Sequence, residues 1–151
     1  MDAAAEALAE ASTAAGRTDD RRLRAQVLAT LGDLRLKQGE LGAARQLLTE
    51  AEVMFTEMDL PDGLAFVDYT LGMLLLAEGE LAAAAARAEA ALRRYAAAGV
   101  PVWRARTAAL LGDIAAAGGA PGDAEEHWTT ARRIFAELGL PEAAELDRKL
   151  G

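Results

Sequence analysis

The chain has 151 residues, of which 52% are hydrophobic and 5% aromatic, a formal net charge of −8 and no cysteine. This length predicts one domain, 1–151, with a core of small side chains. The lack of cysteine excludes disulfide scaffolds and thiolate chemistry, and the acidic charge argues against nucleic acid as a partner, because phosphate binding depends on an excess of Lys and Arg.

Two further patterns bear on where the protein works. No stretch of 18 or more apolar residues is free of charge, so no membrane span is predicted. Residues 1–20 show no apolar run behind a basic start, so no signal peptide is expected. We therefore expect a cytoplasmic protein without membrane contact.

A 40-residue repeat organises the chain. Residues 21–60 and 61–100 share 13 identical positions in 40, and residues 101–140 keep the same skeleton. A period of this length is typical of stacked supersecondary units. The recurring positions are Ala25/Ala65/Ala105, Leu31/Leu71/Leu111, Gly32/Gly72/Gly112, Gly39/Gly79/Gly119, Ala44/Ala84/Ala124, Ala51/Ala91/Ala131 and Phe55/Tyr95/Phe135.

Residues 1–20 match the second half of one unit, with Ala4 under Ala44 and Leu8 under Leu48. The first helix of that unit is absent. The segment is therefore either a lone capping helix or the middle of a longer array. Its outer face is not strongly polar, as a cap usually is, and this favours the longer array.

Each full unit reads as two helices. The first helices are predicted at 21–37, 61–77 and 101–117, because apolar residues recur there at helical spacing. They end at Gly39, Gly79 and Gly119, where glycine takes the left-handed conformation that closes a helix. The second helices are predicted at 41–57, 81–97 and 121–138, each followed by a proline that suits the next helix start. Short connections make the helices antiparallel hairpins, and 141–151 is a short charged cap.

Three glycines lie inside the first helices, where each costs about 1 kcal/mol relative to alanine. Gly32, Gly72 and Gly112 therefore predict close approach of the second helix. Its small residues Ala44, Ala84 and Ala124 are expected to face them, with larger side chains filling the layer between hairpins.

Each unit has Leu-Gly, then Gly seven residues later, Ala after five more, Ala after seven more and an aromatic residue near its end. This pattern resembles the tetratricopeptide repeat, in an extended 40-residue form. The tryptophan-type position departs from the family, being Leu28, Asp68 and Ala108. The tyrosine-type position departs as well. The resemblance covers 21–140 and implies an all-α, right-handed superhelix of helical hairpins that binds proteins or peptides.

The stretch from Ala124 to Leu146, with Glu-Glu-His-Trp after the alanine, is similar to the C-terminal repeat of actinobacterial antibiotic regulatory proteins. In that family a DNA-binding domain and a nucleotide-binding switch domain precede the repeats. No Gly-x-x-x-x-Gly-Lys-Ser/Thr phosphate loop occurs in this sequence. The resemblance implies only a sensor or scaffold arm of a bacterial transcriptional regulator.

In the tetratricopeptide family, ligands contact five recurring positions on the first helices, which line a concave face. Carried over, the polar and aromatic candidates are Gln26, Asp33, Lys37, Phe66, Tyr69, Met73, Arg106 and Asp113. Phe66, Tyr69, Met73 and Leu76 form either an exposed apolar patch, as at adaptable interfaces, or part of the core. Arg106 pairs either with a ligand carboxylate or with Asp113. The family's clamp for a peptide C-terminus is absent.

No pattern of catalytic or metal-binding residues is present. His127 is the only histidine, no second His or Cys completes a ligand set, and a solvated helix residue is expected. Asp19, Asp20, Asp59 and Asp62 lie at unit junctions, where carboxylates cap helix starts. We expect no enzyme, no metal and no cofactor.

The predicted function is therefore a protein- or peptide-interaction module that binds through the concave face. The alternative is a self-association arm without a separate ligand. In that case the N-terminal half-unit, 1–20, stacks on a second copy, because an unpaired repeat face is apolar.

Overall fold

A computed structural model describes the backbone of residues 3–17 and 20–151, and the side chains of 3–10 and 20–151. Within these residues the chain is entirely α-helical apart from short connections, which confirms the all-α class. The helices are α1 Ala3–Arg17, α2 Arg21–Lys37, α3 Leu41–Glu57, α4 Pro61–Ala77, α5 Leu81–Ala98, α6 Pro101–Ala117, α7 Pro121–Glu137 and α8 Glu142–Leu150. None of the described helices is long and apolar enough to cross a membrane.

The predicted helix-ending glycines and one predicted helix cap are observed at their expected positions. Gly39, Gly79 and Gly119 have φ angles of 80°, 78° and 75°, as expected for residues that end a helix in the left-handed conformation. At the start of α2, the backbone N–H of Leu23 donates to Oδ1 of Asp20 at 3.0 Å, so Asp20 is the predicted cap. Asp19 lies outside the described residues.

The chain divides into two compact units, Met1–Leu74 and Leu75–Gly151. In the first unit, α2 packs against both α1 and α3, around the buried side chains of Leu31, Leu48 and Phe55. In the second unit, α6 packs against α5 and α7, and α8 packs against α7. Its buried cluster comprises Ala105, Ala108, Ala131, Ile134, Phe135 and Leu146. The assignment of 1–151 to one domain stays a prediction.

The helical glycines make close contacts, but with large side chains. A Cβ atom on Gly32 would lie 2.8 Å from Cγ of Leu48, whereas the nearest atom of Ala44 is its carbonyl oxygen at 3.5 Å. A Cβ atom on Gly112 would lie 2.3 Å from Cδ1 of Trp128. At Gly32 and Gly112 the prediction that small faces meet was wrong, because each of these two glycines accommodates a bulky side chain of its own hairpin.

In α3 and α5, the aromatic residue near the end of the helix contacts the residue eight positions further on. A Cβ atom on Gly63 would lie 2.4 Å from two carbons of the Phe55 ring. Tyr95 stacks on Trp103 with ring centroids 5.5 Å apart. Ala143 packs against the cluster that contains Phe135. The residue eight positions on therefore decides how much space remains beside each aromatic ring.

Asp59 is the described non-glycine residue with a positive φ, 54°. Gly99 and Gly139, which occupy the equivalent place in later repeats, have φ angles of 70° and 69°. The prediction that Asp59 caps a helix start was wrong, because it lies in the turn that closes α3, where the N–H of Leu60 donates to the carbonyl oxygen of Phe55 at 3.0 Å.

Asp59→Gly is expected to raise the free energy of unfolding by about 0.5–1 kcal/mol, because a residue with a Cβ atom is strained at positive φ. Gly99→Ala, the reverse exchange at the equivalent turn, is expected to lower it by a similar amount or more. Urea denaturation of both variants measures the two changes. Equal losses of stability in both variants would contradict this account of the turn.

Candidate functional site

A surface cavity of about 380 Å³ lies in the first unit. Its size is near the lower end of the range of ligand pockets, which is roughly 300–1,000 Å³, and suits one or two side chains of a partner. The residues that line it come from α2, α3 and α4: Gln26, Ala29, Thr30, Phe55, Asp62, Gly63 and Phe66.

The inner part of this cavity is apolar. Phe55 is only 2% exposed, and its ring lies directly against the backbone of Gly63. Phe66 of α4 is half-buried and also lines the cavity. Phe55 and Ala29 are each only 2% exposed, so the half-buried Phe66 provides most of the apolar surface that a ligand would contact.

The outer part is polar. Gln26, Thr30 and Asp62 line the cavity and are all exposed. The Thr30 hydroxyl donates to the backbone carbonyl oxygen of Gln26 at 2.9 Å, which orients this hydroxyl toward its own helix. Within the residues that the structure describes, the carboxylate of Asp62 has no ion pair, so the cavity presents one uncompensated negative charge.

Two of the predicted site residues, Gln26 and Phe66, line this cavity together. Asp33 and Lys37 do not line it and form an ion pair one turn apart on α2, with Nζ 2.9 Å from Oδ2. Tyr69 and Met73 are half-buried on α4. Phe66, Tyr69 and Met73 are thus outside the fully buried core, and their role as an interface stays a prediction.

The other two predicted residues, Arg106 and Asp113, have partners within the second unit. The Arg106 guanidinium lies 3.8 Å from Oε2 of Glu142 and 4.8 Å over the ring of Trp103. Asp113 Oδ1 accepts from Nε1 of Trp128 at 3.0 Å and from a lysine of α8 at 2.8 Å. The alternative in which Arg106 pairs with Asp113 was therefore wrong.

Residues that the sequence pattern did not assign to a site complete the cavity. Asp62 was predicted only as a helix-start residue, and it does lie in the first turn of α4. Gly63 stands where the other repeats have Leu23 and Trp103. This loss of a large side chain at one repeat position is the signal in the sequence for the close approach of the Phe55 ring to the backbone of α4.

No group of three or more His, Cys, Asp or Glu side chains that could hold a metal ion occurs among the described residues. His127 is half-buried on α7, and its assignment as a solvated helix residue stays a prediction.

Comparisons with known proteins identify the fold. No family model and no curated protein sequence matches the chain. Among solved structures, BtubC (BKLC) from P. vanneervenii, a helical-repeat protein, superposes with a TM-score of 0.76 and 23% sequence identity. The match covers 94% of this chain and 61% of that one, so this chain spans less than two thirds of the length of BtubC. An identity of 23% establishes a helical-repeat fold and nothing about activity.

Proposed function

We propose that this chain is a non-enzymatic interaction module of the extended tetratricopeptide type, which binds a peptide or protein segment at the cavity of the first unit. The observation that supports this most directly is the lining of that cavity, where two aromatic residues lie beneath exposed polar groups. Ligand sites are typically concave and apolar, with a few polar groups that fix orientation. The 40-residue repeat and the helical-repeat neighbour fit the same interpretation.

The wider role that we propose is a sensor or scaffold arm of a bacterial regulatory protein in the cytoplasm. It is supported by the likeness of the last forty residues to the repeats of actinobacterial antibiotic regulatory proteins. In this role the module needs no cofactor, and it contacts its partner and not DNA, consistent with its net charge of −8.

Selection from a random peptide library displayed on phage tests the proposal. We expect peptides that bind the full chain, and we expect Phe66→Ala to weaken their binding about tenfold or more, since aromatic residues in such sites carry much of the binding energy. The affinities of synthetic copies of the peptides, measured by isothermal titration calorimetry, give this ratio.

Val53→Ala is the matched control, because Val53 is an exposed apolar residue of α3 that does not line the cavity. It should leave peptide affinity unchanged. Circular dichroism checks that Phe66→Ala keeps the helical fold, and light scattering of the free chain tests the competing self-association through α1. Failure to select any peptide, or equal affinities for the Phe66 and Val53 variants, would contradict the proposal.

A further inference from the structure

The second unit repeats the helices that line the cavity, with different residues at the corresponding positions. Helices α6 and α7 begin and end two repeat lengths after α2 and α3, and α8 occupies the place of α4. Each lining residue therefore has a counterpart. Five of these seven pairs matter here: Gln26 and Arg106, Phe55 and Phe135, Asp62 and Glu142, Gly63 and Ala143, and Phe66 and Leu146.

In the second unit this place is filled from within the chain. Leu146 is buried in the same cluster as Phe135, and Ala143 packs against that cluster. The guanidinium of Arg106 lies 3.8 Å from the Glu142 carboxylate and stacks over Trp103. The acidic residue at this position is thus neutralised by an arginine of the preceding first helix, and the arginine lies on an aromatic ring.

In the first unit the acidic residue is present and the arginine is not. Gln26 stands in place of Arg106, and its uncharged amide cannot neutralise Asp62. The surrounding arginines do not replace it: Arg24 lies 3.5 Å from Glu50, Arg21 pairs with Glu57, and Arg22 is exposed and does not line the cavity. The carboxylate of Asp62 therefore lies beside the open cavity without a neighbouring arginine among the described residues.

We propose that the cavity binds an arginine side chain of the partner, whose guanidinium takes beside Asp62 the place that the Arg106 guanidinium takes beside Glu142. This inference rests on the proposed function and specifies its ligand. A guanidinium suits the site because it binds a carboxylate through paired N–H donors and stacks on aromatic faces. The half-buried Phe66 provides such a face, and the net charge of −8 favours encounter with basic segments.

The test uses the peptides selected from the random library. In each one, every arginine is replaced in turn by citrulline, which keeps the shape of arginine and removes its charge. We expect one such replacement to weaken binding about tenfold or more. In the Asp62→Asn variant the same replacement should have little effect, because the two substitutions remove the same interaction.

Gln26→Arg supplies the arginine from within the chain, as in the second unit. It should therefore weaken the binding of the arginine-containing peptide by a similar factor. The matched control is Gln46→Arg, which adds the same charge at an exposed position of α3 outside the cavity. It should leave affinity almost unchanged. Since Gln26 and Gln46 are both exposed, neither variant is expected to alter the helical circular dichroism signal.

The outcomes separate the two proposals. Selected peptides that bind in a Phe66-dependent way but contain no basic residue, or that tolerate every citrulline replacement, would overturn the arginine site and leave the interaction module intact. If Gln26→Arg and Gln46→Arg weakened peptide binding equally, this result would also overturn the arginine site, since net charge alone would then explain the effect. Absence of peptide binding would refute the proposed function itself.

Discussion

Phe55→Ala is expected to lower the free energy of unfolding by about 3–5 kcal/mol, the range for removal of a buried aromatic side chain. Phe55 is 2% exposed, and its ring lies against Gly63, which has no side chain that could move into the vacated space. The ring also forms part of the cavity of about 380 Å³, which would enlarge. Urea denaturation followed by circular dichroism measures the loss, with an unchanged slope as the sign that only stability has changed.

Val53→Ala serves again as the control, because it shortens an apolar side chain of the same helix that is 52% exposed. Its effect is expected within about 0.5 kcal/mol of zero. A loss below about 1 kcal/mol for Phe55→Ala would mean that neighbouring residues collapse into the space, and would contradict the packing described for the first unit.

Gly112→Ala is expected to lower the free energy of unfolding by about 1–3 kcal/mol, as overpacking does in a closely packed interior. This loss comes despite a gain of about 1 kcal/mol in helix propensity. The new Cβ atom would lie 2.3 Å from Cδ1 and 2.4 Å from Nε1 of Trp128. These atoms belong to a rigid ring, so the indole must move, and its hydrogen bond to Asp113 is lost or lengthened.

Gly122→Ala is the matched control, because a Cβ atom there has no neighbour within 4 Å. It should leave stability equal or slightly higher. In a double-mutant cycle, Trp128→Leu should restore part of the stability lost in Gly112→Ala, and near-ultraviolet circular dichroism should report the displaced indole. Equal stability of the Gly112 and Gly122 variants would rule out a tight slot for Trp128.

The helix ends were predictable from the sequence because their causes are local. Gly39, Gly79 and Gly119 end the first helices through a backbone conformation that residues with a Cβ atom rarely adopt. Pro61 and Pro101 begin the next helices through a fixed φ angle. Neither effect depends on what lies across the molecule, so the predicted and observed boundaries agree within one residue, apart from the N-terminal half-unit and cap.

The partners of the helical glycines were not predictable in the same way. The repeat identified Gly32 and Gly112 as points of close approach, and it offered Ala44 and Ala124 as the small surfaces opposite. The side chains that reach these glycines are Leu48 and Trp128, one turn further on. Side chains on a helix lean toward its N-terminus, and the helix rotation that places one turn or the next over a glycine depends on the whole interhelical contact.

The candidate site shows the same division. Sequence alone predicted the helical-repeat fold, because the period is a property of the chain, and the resemblance to the tetratricopeptide repeat implied a common surface for Gln26 and Phe66. Only the tertiary structure decided that Asp62, Gly63 and Phe55 complete an open cavity there, whereas Arg106 and Asp113 have partners on α8. The physical reason is that an ion pair or an unfilled space depends on which side chains meet between helices that are distant in sequence. A repeat pattern identifies equivalent positions in the chain, but it does not specify which side chains are in contact.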